Sequence, residues 1–271
     1  MCESLSSKVL GMKWDVDNDS FHITVDIKPN EAVARKDMLS VIASMYDPLG
    51  LVSPCVVVGK MLFQDATRLK LGWRETIPSY ICEKWKKWAQ DMCYHFQEFS
   101  FPRCIKPSTF DDAELELHTF CDASEKAYGC CSYMKCVTFD QKVITTLVMS
   151  KGRISPMHQV TIPRLELQAA VIGAQVHSML LTELDVPIIR SYLYSDSQIV
   201  LAYIKNSERR FKVYVENRVS VIRKLTHPDQ WRFVPGTENP ADYISRGMKP
   251  QDLMSSAWKE GPQFLKECHT V

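Results

Sequence analysis

The sequence lacks the features that mark several common classes of protein. It has 33 Lys and Arg against 32 Asp and Glu, a formal net charge of +1. A net charge this close to zero gives no overall positive field that would predict a nucleic-acid partner, so any basic surface must be local. The ten cysteines include no Cys-x-x-Cys pair and the seven histidines are dispersed, which argues against a zinc site. No apolar run is long enough to span a bilayer, so no membrane partner is expected.

The length of 271 residues allows one large domain or two modest ones. A hydrophobic content of 45% and a charged content of 24% are typical of a globular protein. A stretch without periodicity over residues 101–114, containing Pro102 and Pro107, predicts a domain boundary. The predicted domains are residues 1–110 and 111–250, followed by a tail at 251–271.

Hydrophobic periodicity predicts a hairpin and helices in the first domain. Alternating apolar residues on both sides of Asp17 predict a β-hairpin over residues 12–27. Helical spacing then begins at Ala34, and Pro48 and Gly50 interrupt it. The predicted helices run from 34 to 45, from 53 to about 71, and onward from 79.

The second domain reads as three strands, a helix, a strand, two helices, a strand and a closing helix. This order predicts a mixed sheet with helices on its faces. The predicted strands are residues 115–121, 128–134, 143–149, 190–195 and 231–234. The predicted helices are residues 163–184, 197–205, 211–225 and 239–245.

Four acids stand at the ends of these elements. Asp122 ends the first strand of the domain, and Asp196 ends the fourth in SYLYSDSQIVL. Glu166 and Asp242 each lie in the first turn of a predicted helix. If the first and fourth strands are neighbours, Asp122 and Asp196 emerge side by side, and the two helix starts can bring the other acids to the same rim.

Four carboxylates in one place repel each other and resist ionisation, so such a cluster makes sense if hard cations neutralise it. Mg²⁺ binds carboxylates together with substrate phosphates, and a pair of such ions can clamp the attacking and leaving oxygens of a phosphoryl displacement. Two Mg²⁺ ions are the expected cofactor, with Mn²⁺ as the alternative. Taken singly, each acid also has an ordinary explanation as a helix cap, a first-turn acid, a surface acid or a turn residue.

Several blocks of the sequence resemble a known family. FCDASEKAYG, TIPRLELQAA, YSDSQIVLAYI and VPGTENPADYISRG resemble the four signature blocks of the ribonuclease H domain of retroelement polyproteins. TIPRLEL, the segment Asp47–Pro54 and LGMKW resemble more closely the Pol polyprotein of Bel/Pao-type retrotransposons. The resemblance implies a ribonuclease H-like five-stranded mixed sheet flanked by helices. It also implies a preceding, mainly helical region like the thumb or connection of a reverse transcriptase, and a tail leading towards a missing downstream region.

The resemblance further implies metal-dependent cleavage of the RNA strand of an RNA–DNA hybrid. It makes Asp122, Glu166, Asp196 and Asp242 the catalytic metal ligands. Amides and hydroxyls can contact the 2′-hydroxyls of RNA. The resemblance places four such residues near the substrate: Ser124, Gln168, Ser197 and Gln198. A basic segment near residues 209–224 would supply contacts to phosphates, although the solvated face of an ordinary helix explains the same basic residues equally well. Its basic residues are Arg209, Arg210, Lys212, Arg218, Arg223 and Lys224.

Other functions remain as alternatives or are opposed by missing motifs. The loop VPGTENPAD lacks the histidine that many relatives carry before the last acid, which bears on rate. No Tyr-x-Asp-Asp motif occurs, so DNA synthesis is not expected, and without Asp-Thr-Gly or Asp-Ser-Gly an aspartic peptidase is not expected. An inactive template-primer-binding or connection-like fragment stays open. An integrase or transposase would order its acids Asp, Asp, Glu, whereas here the glutamate comes second.

The resemblance implies two partners, an RNA–DNA hybrid and the polymerase part of the same Pol polyprotein. Scattered cysteines without a recognisable signal peptide predict a reducing, intracellular location. The cytoplasm is expected, with virus-like particles or the nucleus as alternatives.

Overall fold

The protein is described by a computed structural model in two compact units. The described residues are 6–9, 12–23, 25, 33–96, 99–105, 113–208 and 210–267. Unit 1 comprises Met1–Cys104 and Gly247–Ser256, and unit 2 comprises Ile105–Arg246 and Ala257–Val271.

Strands and helices are numbered here along the whole chain. The strands are β1 (Ser6–Val9), β2 (Met12–Asp15), β3 (Ser20–His22), β4 (Ser100–Pro102), β5 (Glu114–Ala123), β6 (Ala127–Val137), β7 (Val143–Ile154), β8 (Ile188–Ser195) and β9 (Trp231–Phe233). The helices are α1 (Arg35–Ser44), α2 (Ser53–Arg68), α3 (Ser79–His95), α4 (Ile162–Glu183), α5 (Gln198–Lys205), α6 (Val213–Leu225), α7 (Asp242–Arg246) and α8 (Pro250–Ser255).

Unit 1 combines helices with a sheet in the order β1-β2-β3-β4, in which each neighbouring pair is antiparallel. The β2–β3 pair confirms the predicted hairpin, and the end of the predicted second arm, residues 26–27, lies outside the described residues. The Asp47 carboxylate accepts the N–H groups of Leu51 and Val52 at 2.8 and 2.9 Å. Both donors lie just before the start of α2, so the Asp47 side chain fixes the turn that connects α1 to α2.

Unit 2 contains the predicted five-stranded mixed sheet, in the order β7-β6-β5-β8-β9. Its pairs are antiparallel from β7 to β5 and parallel from β5 to β9. The helix α4 packs on one face, where Leu115, Leu117 and Cys121 of β5 are buried with Leu167 and Ala170. The central position of β5 explains why this strand is buried on both faces.

The other face of this sheet is covered by residues 257–267. Phe264 lies against Phe120, with ring centroids 6.1 Å apart, and Tyr133 donates its hydroxyl hydrogen to the Trp258 carbonyl at 2.8 Å. This corrects the expected tail at 251–271. Trp258 is fully buried, so the described end of the chain is part of the domain. The preceding helix α8 belongs to unit 1, where it packs against α2 and α3.

Within the described residues, no helix has the length and apolar character needed to cross a membrane.

Gly173 allows α4 to approach β5 closely, because a Cβ at this position would overlap the sulfur of Cys121. In a helix, Gly→Ala normally gains about 1 kcal/mol. Overpacking of a tight core costs about 1–3 kcal/mol, so the overlap with Cys121 should outweigh the gain in helix propensity. We predict that Gly173→Ala lowers the free energy of unfolding by up to about 2 kcal/mol, measured by urea unfolding followed by circular dichroism.

The matched control is the same substitution in a Cys121→Ala background, which removes the sulfur. There, Gly173→Ala should be neutral or stabilising because only the helix propensity remains. A Gly173→Ala chain more stable than the parent would contradict this account of the α4–β5 contact.

Candidate active site

Two of the four acids emerge from neighbouring strand ends. The parallel register of β5 and β8 pairs Cys121 with Ser195, and Asp122 and Asp196 follow these two residues directly. This agrees with the predicted adjacency of the two strands. Asp122 is buried, with 7% exposure, whereas Asp196 is half-buried.

A buried asparagine ties the loop before Asp242 to the end of β5. The Asn239 side chain donates to the Cys121 carbonyl at 3.0 Å, and its carbonyl oxygen accepts the Ala241 N–H at 3.1 Å. One turn further on, the Ser245 hydroxyl donates to the Asp122 carboxylate. The segment that carries Asp242 is therefore attached to β5 on both sides of this acid.

Glu166 joins the cluster through the residue that follows Asp196. The Ser197 hydroxyl donates to Glu166 Oε2 at 2.7 Å and accepts the N–H of Val200 at 3.3 Å, so it caps α5 as well. The ordinary capping role and the link to Glu166 thus belong to Ser197, and Asp196 is left in the loop between β8 and α5.

The acids share one electrostatic environment. Burial raises the pKa of Asp122 to about 7; the charges of Asp196 and Asp242 add to the shift, and the hydrogen bond from Ser245 opposes it. Burial also raises the pKa of Glu166, with a contribution from Asp196. It raises the pKa of Asp196 as well, with a contribution from Asp242. Residues far apart in sequence therefore oppose each other's ionisation at this end of the sheet.

One basic side chain lies at this end of the sheet. Arg246 Nε is 2.5 Å from Asp242 Oδ1, and its charge counteracts the rise in the pKa of Asp196. The Arg246 side chain is 74% exposed, so the ion pair is largely solvated and contributes little to stability.

The donor set suits a hard cation, although it is not arranged as a closed metal site. All four side chains are carboxylates, the ligand type that Mg²⁺ and Mn²⁺ prefer. Among the residues that the structure describes, no group of three His, Cys, Asp or Glu side chains is placed to hold a metal ion. The pairing of Asp242 with Arg246 and of Glu166 with Ser197 occupies oxygens that a cation would otherwise contact.

The other predicted site residues fall into two groups. Ser124 and Gln168 are bonded within the protein: the Ser124 hydroxyl donates to the Ser245 carbonyl at 2.6 Å, and the Gln168 amide donates to the Tyr214 hydroxyl at 3.0 Å. Gln198 is exposed at the start of α5.

The predicted basic segment has mixed roles. Arg210 and Lys212 are exposed just before α6, and Arg209 lies outside the described residues. Arg223 is exposed and donates to the carbonyls of Ile204 and Asn206 at the end of α5, so it also holds two helices together.

Sequence reasoning missed three contacts of this region. Ser245 and Arg246 lie three and four residues after Asp242, a spacing that places side chains on one helix face and could have indicated them. Tyr214 contacts Arg164 and Gln168 on another helix, and no local pattern marks that contact.

The strand order, the helix on the central strands and the acids at the strand ends define a ribonuclease H-like domain. The model of the family described as "Pao retrotransposon-like RNaseH-like domain" matches residues 34–197, more than half of the chain. The chain belongs to this family, which confirms the family predicted from the sequence blocks. The match includes Asp122, Glu166 and Asp196 and ends before Asp242.

Several solved structures resemble the chain at low identity, and no curated protein matched it. RNase H1 of the halophilic archaeon Halobacterium salinarum is 14% identical, with a TM-score of 0.32, over 53% of this chain and 99% of that one. The N-terminal RNase H domain of a Mycobacterium tuberculosis protein is 13% identical, with a TM-score of 0.33, over 53% and 96%. The foamy viral protease-reverse transcriptase dRH, solved with double-stranded DNA, is 11% identical, with a TM-score of 0.43, over 85% and 37%.

The raised pKa of Asp122 predicts a pH-dependent stability. The pKa of Asp122 is about 7 in the folded chain, against an ordinary value of 3.8 for an aspartate. The folded state therefore binds the proton more tightly than the unfolded state, and the free energy of unfolding falls as pH rises between these two values. Asp122→Asn removes this loss. At pH 8 in EDTA the variant should be more stable by up to about 4 kcal/mol, and the difference should shrink towards pH 4.

Thermal unfolding from pH 4 to pH 9 measures this effect. Asp229→Asn is the matched control, since the Asp229 side chain is 88% exposed. Parallel curves for Asp122→Asn and the parent chain would show that the Asp122 carboxyl titrates normally.

Proposed function

We propose that this chain is a metal-dependent ribonuclease H that hydrolyses the RNA strand of RNA–DNA hybrids during reverse transcription. The observation that supports this most strongly is the mutual electrostatic effect of acids from separate segments, with the pKa of Asp122 raised to about 7. Membership of the Pao family supports the same reaction class. The polymerase part of the same Pol polyprotein is the proposed protein partner.

Asp122, Glu166, Asp196 and Asp242 would hold two Mg²⁺ or Mn²⁺ ions, which when bound would activate a water and stabilise the departing 3′ oxygen. The chain itself supplies orientation. Ser245 and Ser197 hold two of the carboxylates with neutral hydrogen bonds, which leave the negative charge in place. A carboxyl with a pKa of about 7 is partly protonated at neutral pH, so Asp122 would release a proton when a cation binds.

Substrate contact is proposed for the polar groups around the acids. Gln198 is exposed two residues after Asp196, where an amide can contact a 2′-hydroxyl. Substrate contact is also proposed for Ser124, Gln168 and Ser197, whose side chains form hydrogen bonds within the protein. Arg209, Arg210 and Lys212 would provide phosphate contacts, and salt would weaken those contacts.

A second candidate is a hybrid-binding module without catalysis. The observation that favours it is the arrangement of the described acids, in which no three are placed to hold a metal ion and Asp242 pairs with Arg246. This candidate requires hybrid binding at micromolar or lower concentration with no cleavage at any divalent ion concentration.

The two candidates are separated by cleavage of a hybrid labelled on its RNA strand. The parent chain should cleave in Mg²⁺ and stop in EDTA, and Asp196→Asn should lose at least about 100-fold in rate, since it removes one ligand charge from the cluster. Asp229→Asn, an exposed acid of the same unit, should retain the parent rate. Full activity of Asp196→Asn would end the nuclease proposal, and an inactive parent that binds the hybrid would favour the second candidate.

A further inference from the structure

The ion pair between Arg246 and Asp242 places a positive charge beside the acids of the candidate site. Arg246 Nε lies 2.5 Å from Asp242 Oδ1, and the two residues are four apart on α7. The same charge also acts on Asp196, a residue of a different segment, because it counteracts the rise in the pKa of that carboxyl. The guanidinium therefore affects two of the four acids and not only its neighbour in the helix.

The backbone next to Arg246 is anchored, whereas its side chain is exposed. The preceding residue, Ser245, is fully buried; its hydroxyl donates to the Asp122 carboxylate, and its carbonyl accepts the Ser124 hydroxyl hydrogen at 2.6 Å. The Arg246 side chain is nevertheless 74% exposed. The guanidinium can therefore leave Asp242 for solvent while the segments that hold the acids stay in place.

An exposed ion pair of this kind is weak and easily replaced. Water screens both charges, and a long side chain loses entropy when it is held in one geometry. A divalent ion carries twice the charge in a compact form and binds several carboxylate oxygens at once. Two cations close to one carboxylate repel each other, so the guanidinium and such an ion compete for Asp242.

The pair also has an ordinary explanation as a helix-stabilising contact. An acid four residues before a base is a favourable pair, and a base suits the end of a helix. However, α7 has only five residues, so there is little helix for the pair to stabilise. The effect of Arg246 on Asp196, which lies outside this helix, indicates instead a role towards the acids as a group.

We propose that Arg246 is an internal counter-ion of the acids, which pairs with Asp242 until a divalent cation replaces it and so raises the divalent ion concentration that the chain requires. This inference rests on the proposed function for the kind of cation and deepens it. Arg246 takes no part in the chemical step. It partly compensates the acids in the ion-free protein, where their mutual repulsion is greatest.

Binding of Mn²⁺ in the absence of nucleic acid tests this role. The free ion is measured by its electron paramagnetic resonance signal, which broadens strongly when the ion is bound. Arg246→Gln removes the competing charge, so this variant should bind Mn²⁺ about three- to tenfold more tightly than the parent chain. A gain in affinity cannot come from damage to the fold, so a merely structural role would not produce it. Arg246→Lys keeps a positive charge and should stay within about twofold of the parent.

Lys142→Gln is the matched control, because it removes the same charge from a pair of similar exposure. Lys142 Nζ is 3.0 Å from Asp140 Oδ2, and the lysine side chain is 73% exposed. It follows β6 at the end where Val137 pairs with Glu114, about 27 Å along β5 from Asp122. The Mn²⁺ affinity of this variant should stay within about twofold of the parent, since salt screens the charge over that distance.

The outcomes separate this inference from the nuclease proposal. If the parent binds Mn²⁺ but cleaves no hybrid, and Arg246→Gln tightens the binding, the nuclease proposal fails and the counter-ion role stands. An unchanged or weaker affinity in Arg246→Gln overturns the counter-ion role, whether or not the parent cleaves. An equal gain in Lys142→Gln would also overturn it, since net charge alone would then explain the effect. If neither the parent nor Arg246→Gln binds millimolar Mn²⁺, both proposals fall.

A parent chain that cleaves the hybrid offers a second readout. Arg246→Gln should lower the Mg²⁺ concentration that gives the half-maximal rate by about the same factor as it tightens Mn²⁺ binding. A higher Mg²⁺ requirement in this variant would show that Arg246 positions Asp242 for the ion, which contradicts competition between the two cations.

Discussion

The parallel pairing of β5 with β8 is the constraint on which the candidate site depends. Its register places Cys121 beside Ser195, so the next residue of each strand presents a carboxylate at the same edge. Burial and mutual repulsion then raise the pKa values of Asp122 and Asp196, which costs stability at neutral pH. The offsetting stabilisation comes from the rest of β5, which is buried beneath α4 on one face and beneath residues 257–267 on the other.

Neutral hydrogen bonds hold the segments that carry the acids at this edge. Ser197 contacts Glu166, Ser245 contacts Asp122, and Asn239 ties the loop before Asp242 to β5. Each such bond contributes about 1 kcal/mol and leaves the charge of the carboxylate intact. The arrangement therefore gathers negative charge that the solvated Arg246 offsets only in part, which is the physical basis for expecting a cation or another positive partner at this edge.

Much of this fold was predictable, since periodicity is local and the elements of both units follow it closely. Strand pairing is not local: β7 continues to Ile154 through polar residues, because the ladder with β6 holds their backbone. The packing of the C-terminal segment was not predicted for the same reason, since the burial of Trp258 depends on a sheet that is distant in sequence. The acids were found because they follow recognisable strand and helix ends. The spacing of Ser245 after Asp242 places it on the same helix face, but its bond to Asp122 and the bond between Tyr214 and Gln168 join distant segments, which no sequence spacing encodes.

A comparison within β5 separates scaffold acids from site acids. Glu116 and Asp122 face the same side of the strand, six residues or about 20 Å apart. The chain surrounds Glu116 with basic groups, and the hydrogen bond with His118 is the main cause of its lowered pKa, with Lys135 and Arg190 adding to it. Asp122 receives neutral donors, the Ser245 hydroxyl and the Ala123 N–H, and burial raises its pKa. A buried carboxylate is tolerated when its charge is balanced, and along one strand the protein balances the charge of Glu116 with basic groups but gives Asp122 only neutral donors.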